Sequence, residues 1–299
     1  MANNTQPQSQ DLASGRLVSI GDTRLFIVEH GQGYPLLMLH GGPGLDHTMF
    51  GDYLNQLTDH FRLILVDQRS QGRSEMSLPK TWTLAQLARD VGALAGALGL
   101  ERYAVLGHSF GALVALQYAV DFPGQASQTI VSSGFPSARF LTHVQKSLET
   151  FEPIELREQV ISSWEREKSV QTIEDFANIL HDQLPFHFAD PRDPRIQDYE
   201  RRTMGSIYSP QVVRHFAAQD YGMIEVEDRL GGVSQPVLVL AGSHDRTCSV
   251  EAAEVIARGI PQAQLVIFEQ SGHMTFVEEN EPYLATVRTF LGPHIRKEI

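Results

Sequence analysis

The sequence predicts an α/β fold: a mainly parallel sheet of eight strands with helices on both faces, interrupted by a helical insertion. Short, continuously apolar runs at 35–39, 61–66 and 103–106 read as strands buried on both faces. They alternate with runs of helical length and periodicity, which is the pattern of strands joined by crossover helices. The alternation stops near Gly134 and resumes at Pro236. At 299 residues the chain is long enough for one large domain, or for a core that carries an insertion, and either buries a sizeable core.

In order, residues 1–15 are polar and rich in Asn, Gln and Ser, and read as a disordered tail. Segments 16–20 and 24–29 flank Gly21-Asp22-Thr23, the signature of an antiparallel hairpin. The strand at 35–39 ends in His40-Gly41-Gly42-Pro43-Gly44; a helical stretch is expected over 46–59. The strand at 61–66 runs into Asp67-Gln68-Arg69-Ser70-Gln71-Gly72-Arg73-Ser74. A helix at 84–98, the strand to Leu106, a helix to Asp121 and a strand at 129–132 follow. Residues 136–232 have helical periodicity at 140–151, 154–168 and 173–184, a Pro-rich break at 185–194 and no convincing strand. They read as a helical cap over the carboxyl ends of the strands, where open α/β sheets bind ligands. The core is then 16–135 and 233–299. It closes with a strand at 236–240, a helix at 250–258, a strand at 264–268 and a helix at 282–291.

With 24 basic against 36 acidic residues the net charge is −12, which repels phosphate backbones and anionic lipid surfaces. Neither nucleic acid nor a membrane is an expected partner, and no apolar run is long enough to span a bilayer. A small molecule or short peptide is the expected substrate; oligomeric state is not legible. The insertion carries half of that charge, 11 basic against 17 acidic. The single cysteine, Cys248, excludes an internal disulfide, gives no paired metal spacing and reads as small buried filler. With no basic start followed by an apolar run, a cytoplasmic location is expected. No metal or other cofactor is expected.

The chemistry centres on Gly107-His108-Ser109-Phe110-Gly111, which joins a strand to a helix. A serine on such a turn adopts a strained backbone that holds its hydroxyl up, and the flanking glycines allow the close strand and helix approach. Beside it, the helix N-terminus favours developing negative charge, as acyl transfer requires. A serine hydroxyl needs a base and something to orient that base. Of the 12 histidines, His273 lies just beyond the last predicted strand, and Asp245 follows the strand before it. Ser109, Asp245 and His273 thus come in the chain order this architecture uses. Asp245 competes with a helix-capping role, for which Ser249 is better placed. The other common location for the acid, after the strand ending at Ser132, holds Ser133-Gly134-Phe135. An oxyanion needs two N–H donors: Phe110, and Gly42 in the glycine-rich turn, with Gly41 in reserve.

The His40–Gly44 turn, the Asp67–Ser74 loop and the serine turn together resemble the α/β-hydrolase superfamily, specifically its proline iminopeptidase-like branch. The resemblance covers nearly the whole chain after the tail. It implies that Asp67 and Arg69 brace the oxyanion turn, and that a cap glutamate binds the substrate's free amine. Trp164-Glu165 resembles the branch's cap motif and makes Glu165 that candidate, with Trp164 beside it; Glu165 also reads as one more solvated helix acid. Where those peptidases usually carry G-G-S-W-G, this chain has His108 and Phe110, the form common in esterases. The expected activity is a metal-free serine hydrolase, an aminopeptidase first and a carboxylesterase or lactonase second; a non-hydrolytic protein or an acyltransferase on the same fold is the reading from another class. Cap aromatics Trp164, Phe186, Phe188, Tyr199 and Tyr208 are candidates for pocket lining, although their helical spacing suits core packing better.

Overall fold

The computed structural model describes residues 15–295, so the expected tail lies, but for Gly15, outside the described residues. Eight strands form one sheet: β1 (Arg16–Ser19), β2 (Arg24–His30), β3 (Tyr34–Leu39), β4 (Phe61–Val66), β5 (Ala104–His108), β6 (Gln128–Ser132), β7 (Val237–Gly242) and β8 (Ala263–Phe268). Their order is β1-β2-β4-β3-β5-β6-β7-β8. Only β2 runs against its neighbours; from β4 to β8 every pairing is parallel. The apolar runs behave as two-sided strands do. On β3, Leu37 and Leu39 enter one core layer with α1 (Leu84–Ala97), α2 (Phe110–Asp121) and α8 (Val250–Gly259). Leu36 and Met38 enter the other, with α10 (Asn280–Ile295).

Between β6 and β7 the chain contributes α3 (Leu141–Glu149), α4 (Ile154–Arg166), α5 (Ile173–His187), α6 (Arg195–Arg202) and α7 (Pro210–Ala217). Among the described residues its one β-type pairing is the isolated bridge of Ser137 with Glu225. No helix is long and apolar enough to cross a membrane among the described residues.

Three local expectations need correction. The helix expected over 46–59 is two short 3-10 helices, His47–Phe50 and Asn55–Asp59; Gly51, at φ 52°, ends the first. The break expected at Pro185 comes later, because α5 carries Pro185 in its last turn and ends at His187. There the missing N–H and the ring clash disturb only the helix end. The final helix begins at Asn280 and is preceded by α9 (Thr275–Glu278), a single turn that follows the His273 loop.

The register sets the site. Gly107 of β5 lies opposite Leu39 of β3 and Val131 of β6, and Ser132 opposite Leu240 of β7. The loops after β3, β5, β6 and β7 therefore leave one edge of the sheet at one level.

Candidate active site

Ser109 caps α2 with φ 56° and ψ −119°, a conformation that costs a non-glycine residue roughly 1–3 kcal/mol. The glycines around it are required by approach. A Cβ on Gly107 would lie 2.0 Å from the Gly111 oxygen, and one on Gly111 2.2 Å from the Leu39 oxygen. The turn is pinned by Ser109 N–H donating to Ser132 O at 2.9 Å.

His273 and Asp245 converge on Ser109 from the loops after β8 and β7. His273 Nε2 is 2.8 Å from Ser109 Oγ, and His273 Nδ1 is 2.9 Å from Asp245 Oδ2. Asp245 Oδ1 accepts from the backbone N–H groups of Thr247 at 2.7 Å and Cys248 at 2.9 Å. Burial raises the Asp245 carboxyl, but the His273 charge and hydrogen bond and those two amides outweigh it and hold it below the ordinary carboxylate value. Where the alternative acid was absent, Ser133 Oγ instead donates to His273 O at 3.2 Å. Ser249 takes the helix-capping role, accepting from Ala252 N–H.

His273 sits between two other imidazoles. The rings of His108 and His187 each lie 5.1 Å from its own. Burial first, and then the charge of His273, lowers His108 well below the usual histidine value and brings His187 down to about 3. Both flanking rings are therefore neutral at physiological pH. Cys248 is buried beside the site, as expected of filler, and burial raises its thiol well above the ordinary value.

Phe110 is the first residue of α2, so its N–H has no partner within the helix. Gly41 N–H is taken by Met49 Sδ at 2.7 Å, which leaves Gly42 as the better-placed second donor; both glycines line the cavity. The bracing of this turn differs from expectation. Gln68 holds it, donating to His40 O at 2.9 Å while its own N–H meets His40 Nε2 at 3.2 Å. Asp67 instead accepts from His47 N–H, the His47 ring and Arg73 N–H, just downstream. Arg69 is buried and forks between Asp90 on α1 and Asp22 in the β1–β2 turn, so it ties sheet edge to helix rather than supporting the turn. Asp46, His47 and Asp67 also converge closely enough to share an ion, but Arg73 and these hydrogen bonds occupy their oxygens.

A cavity of about 390 Å³ opens over Ser109 and His273. Its walls are mainly apolar, with Leu113, Phe135 and Met274 from the core and Val144, Phe176 and Leu180 from the insertion. Glu165 does not reach it; its side chain is exposed on α4. Two acids line the cavity: Glu200, bonded to the His181 ring, and the buried Glu167, 5 % exposed. Three residues after Trp164, it falls on the same helical face, whereas Glu165 is turned about 100° away. Glu167 Oε1 accepts from Gln183 Nε2 at 2.7 Å and Oε2 from the Tyr221 hydroxyl. Burial raises its carboxyl above the ordinary value, and those two bonds only partly offset this. Of the cap aromatics, Trp164, Tyr199 and Tyr208 line the cavity, whereas Phe186 and Phe188 are fully buried packing residues.

The alpha/beta hydrolase fold family matches residues 34–280. The chain belongs to that family. It is 28% identical to a proline iminopeptidase of Lactobacillus crispatus (strain ST1) over 274 residues, covering 87% of this chain and 90% of that one. Among solved structures, a proline iminopeptidase of Mycobacterium smegmatis superposes with a TM-score of 0.74 at 24% identity, covering 96% of this chain and 100% of that one. An esterase of Exiguobacterium antarcticum superposes with a TM-score of 0.73, also at 24% identity, covering 93% and 99%. The family that the motifs resemble is thus borne out, the curated relative carries the name that the branch resemblance implies, and the two solved structures share the fold.

Proposed function

We propose that the protein is a serine hydrolase working through an acyl-enzyme. The observation that carries the reading is the unbroken relay from Ser109 Oγ through both ring nitrogens of His273 to Asp245, at 2.8 and 2.9 Å, beneath a cavity open to substrate. Ser109 Oγ attacks the substrate carbonyl while His273 Nε2 takes its proton. Asp245 holds the ring in the tautomer that leaves Nε2 free and stabilises the imidazolium. The N–H groups of Phe110 and Gly42 receive the oxyanion. His273 returns the proton to the leaving amine or alcohol, then activates a water that releases the acid. The strained Ser109 backbone and the helix end are set before substrate arrives, so no reorganisation is needed as charge develops.

For substrate, the first reading is an aminopeptidase acting on a small N-terminal residue such as proline. The named relatives support it, and Glu167 is the buried acid available to a substrate amine. The second is a carboxylic ester or lactone hydrolase. The mainly apolar cavity supports it, as does Glu167 being already bonded by two neutral donors, which suits an uncharged guest. Measurement of kcat/KM for proline p-nitroanilide beside p-nitrophenyl butyrate, with Ser109→Ala as the blank, tests the reading. Anilide turnover that collapses in Glu167→Gln establishes the amine-binding peptidase; ester turnover with negligible anilide cleavage establishes the esterase. Equal turnover by Ser109→Ala rejects both.

A further inference from the structure

Glu278, at the end of α9, takes no part in the relay, yet it is 7 % exposed and both of its carboxyl oxygens are engaged. Oε2 accepts from Gly272 N–H at 2.8 Å, in the residue before His273. Oε1 accepts from Ala189 N–H at 2.8 Å, two residues beyond the end of α5. One carboxyl thus joins the histidine loop to the inserted helices. The same junction is fastened twice more. His273 N–H donates to His187 O at 2.7 Å. Arg246, next to Asp245, donates to Phe188 O at 2.6 Å and to Ala189 O at 3.0 Å. The loops bearing the acid and the base are therefore both strapped to the stretch 186–189, and α5, which ends there, also carries Phe176, Leu180 and Gln183 on the cavity wall.

We propose that Glu278 is a positioning residue for His273, clamping the catalytic loop to the helix that lines the substrate cavity. The inference rests on the reading of His273 as the base. A carboxylate suits this place because two amides approach it from different segments, and only a group with an acceptor at each end satisfies both. A glutamine would turn its NH₂ toward one of them, and a protonated acid would turn its O–H.

The clamp is sensitive to pH. Burial pushes the Glu278 carboxyl up to about 7, against the pull of the Ala189 and Gly272 amides and of Arg195. The charged groups around it are Arg195 and Asp193 beside α6, Arg246 after β7, and its own neighbour Glu279, which is held by Gln270 N–H and Ser271 Oγ. Because the folded-state value is raised, the ionised carboxylate costs folding stability. The favourable contribution of the protonated group is fully present below about pH 4.5 and is lost as pH rises through about 7. Loosening of the clamp by protonation and gain in stability therefore run together as the pH falls.

Glu278→Gln tests this in three readouts. Hydrogen exchange at pH 8, in peptides covering 187–190 and 270–274, is expected to speed up about tenfold while the central strands are unchanged. On p-nitrophenyl butyrate at pH 8, kcat is expected to fall about tenfold with KM within about twofold, the split of a displaced base rather than a damaged pocket. Between pH 5 and 8 the acid limb of log kcat/KM should carry two ionisations in the wild type and one in the variant, while the Tm difference moves in the variant's favour as pH rises. Unchanged exchange in both peptides, or exchange that rises throughout the sheet, would overturn the clamp. If the variant does not fold, the wild-type acid limb decides: one ionisation contradicts the proposal. Should the wild type show no Ser109-dependent turnover, the reading of His273 as base fails instead, and exchange still decides whether Glu278 ties the two segments.

Discussion

Two buried carboxyls flank the cavity, and their surroundings push them in opposite directions. Asp245, on the sheet side, faces the His273 imidazole and two backbone amides and is lowered below the ordinary value. Glu167, on the insertion side, faces a glutamine amide and a tyrosine hydroxyl and is raised. Burial is the largest influence on both; the difference is made by the partners. A carboxyl given a cationic partner and oriented amides stays charged in the interior, while one given only neutral donors is driven toward its uncharged form. The sheet edge is thus built to develop charge, and the insertion wall to offer shape and neutral hydrogen bonds.

The sharpest way to break this contrast is to remove its charged half. Ser109→Ala is expected to lower kcat by about four to six decades with an unchanged circular dichroism spectrum, measured under substrate saturation. Asp245→Asn keeps the shape but loses the charge and favours the wrong tautomer; a fall of about 10³–10⁴ in kcat is expected, with KM little changed. Gly107→Ala acts on the scaffold. Its methyl would meet the Gly111 carbonyl at 2.0 Å, backbone against backbone, and a loss of about 3 kcal/mol or more is expected in urea unfolding.

Glu167→Gln sharpens the other half and has the smallest effect. Since the folded-state carboxyl is raised, its favourable contribution is present below the unfolded-state value and lost as pH rises. The variant's Tm should therefore match or exceed the wild type at pH 8, and ester turnover should change by less than about threefold. A loss of many degrees at pH 8 would mean that Glu167 is held charged, like Asp245.

The same division explains what the sequence made legible. The sheet-side site follows from local rules: an apolar strand, a turn whose close backbone approach demands glycines at 107 and 111, and loops that a parallel register brings level. Ser109, His273 and Asp245 were readable because each position is tied to a strand end. Gln68, in the Asp67–Ser74 loop, was hidden because its role is a contact with the His40 carbonyl, 28 positions away. The insertion side obeys helical phase instead. Glu165 and Glu167 are near neighbours on one helical run, and which of them faces inward depends on the phase of α4 as it tightens into a 3-10 turn at Glu167. Trp164 gave a usable signal, since a residue three positions on shares its face. Glu278 carried no local sign: it reads as one of two consecutive acids before the last helix, and only the fold brings Ala189 to it.

The central claim is that His273 activates Ser109, and reaction with a fluorophosphonate, followed by intact-mass and peptide analysis, tests it most directly. One adduct per chain, on the peptide containing Ser109, absent in Ser109→Ala and slowed at least a hundredfold in His273→Ala, is the predicted result. Modification of another residue, or labelling of His273→Ala at the wild-type rate, would contradict it.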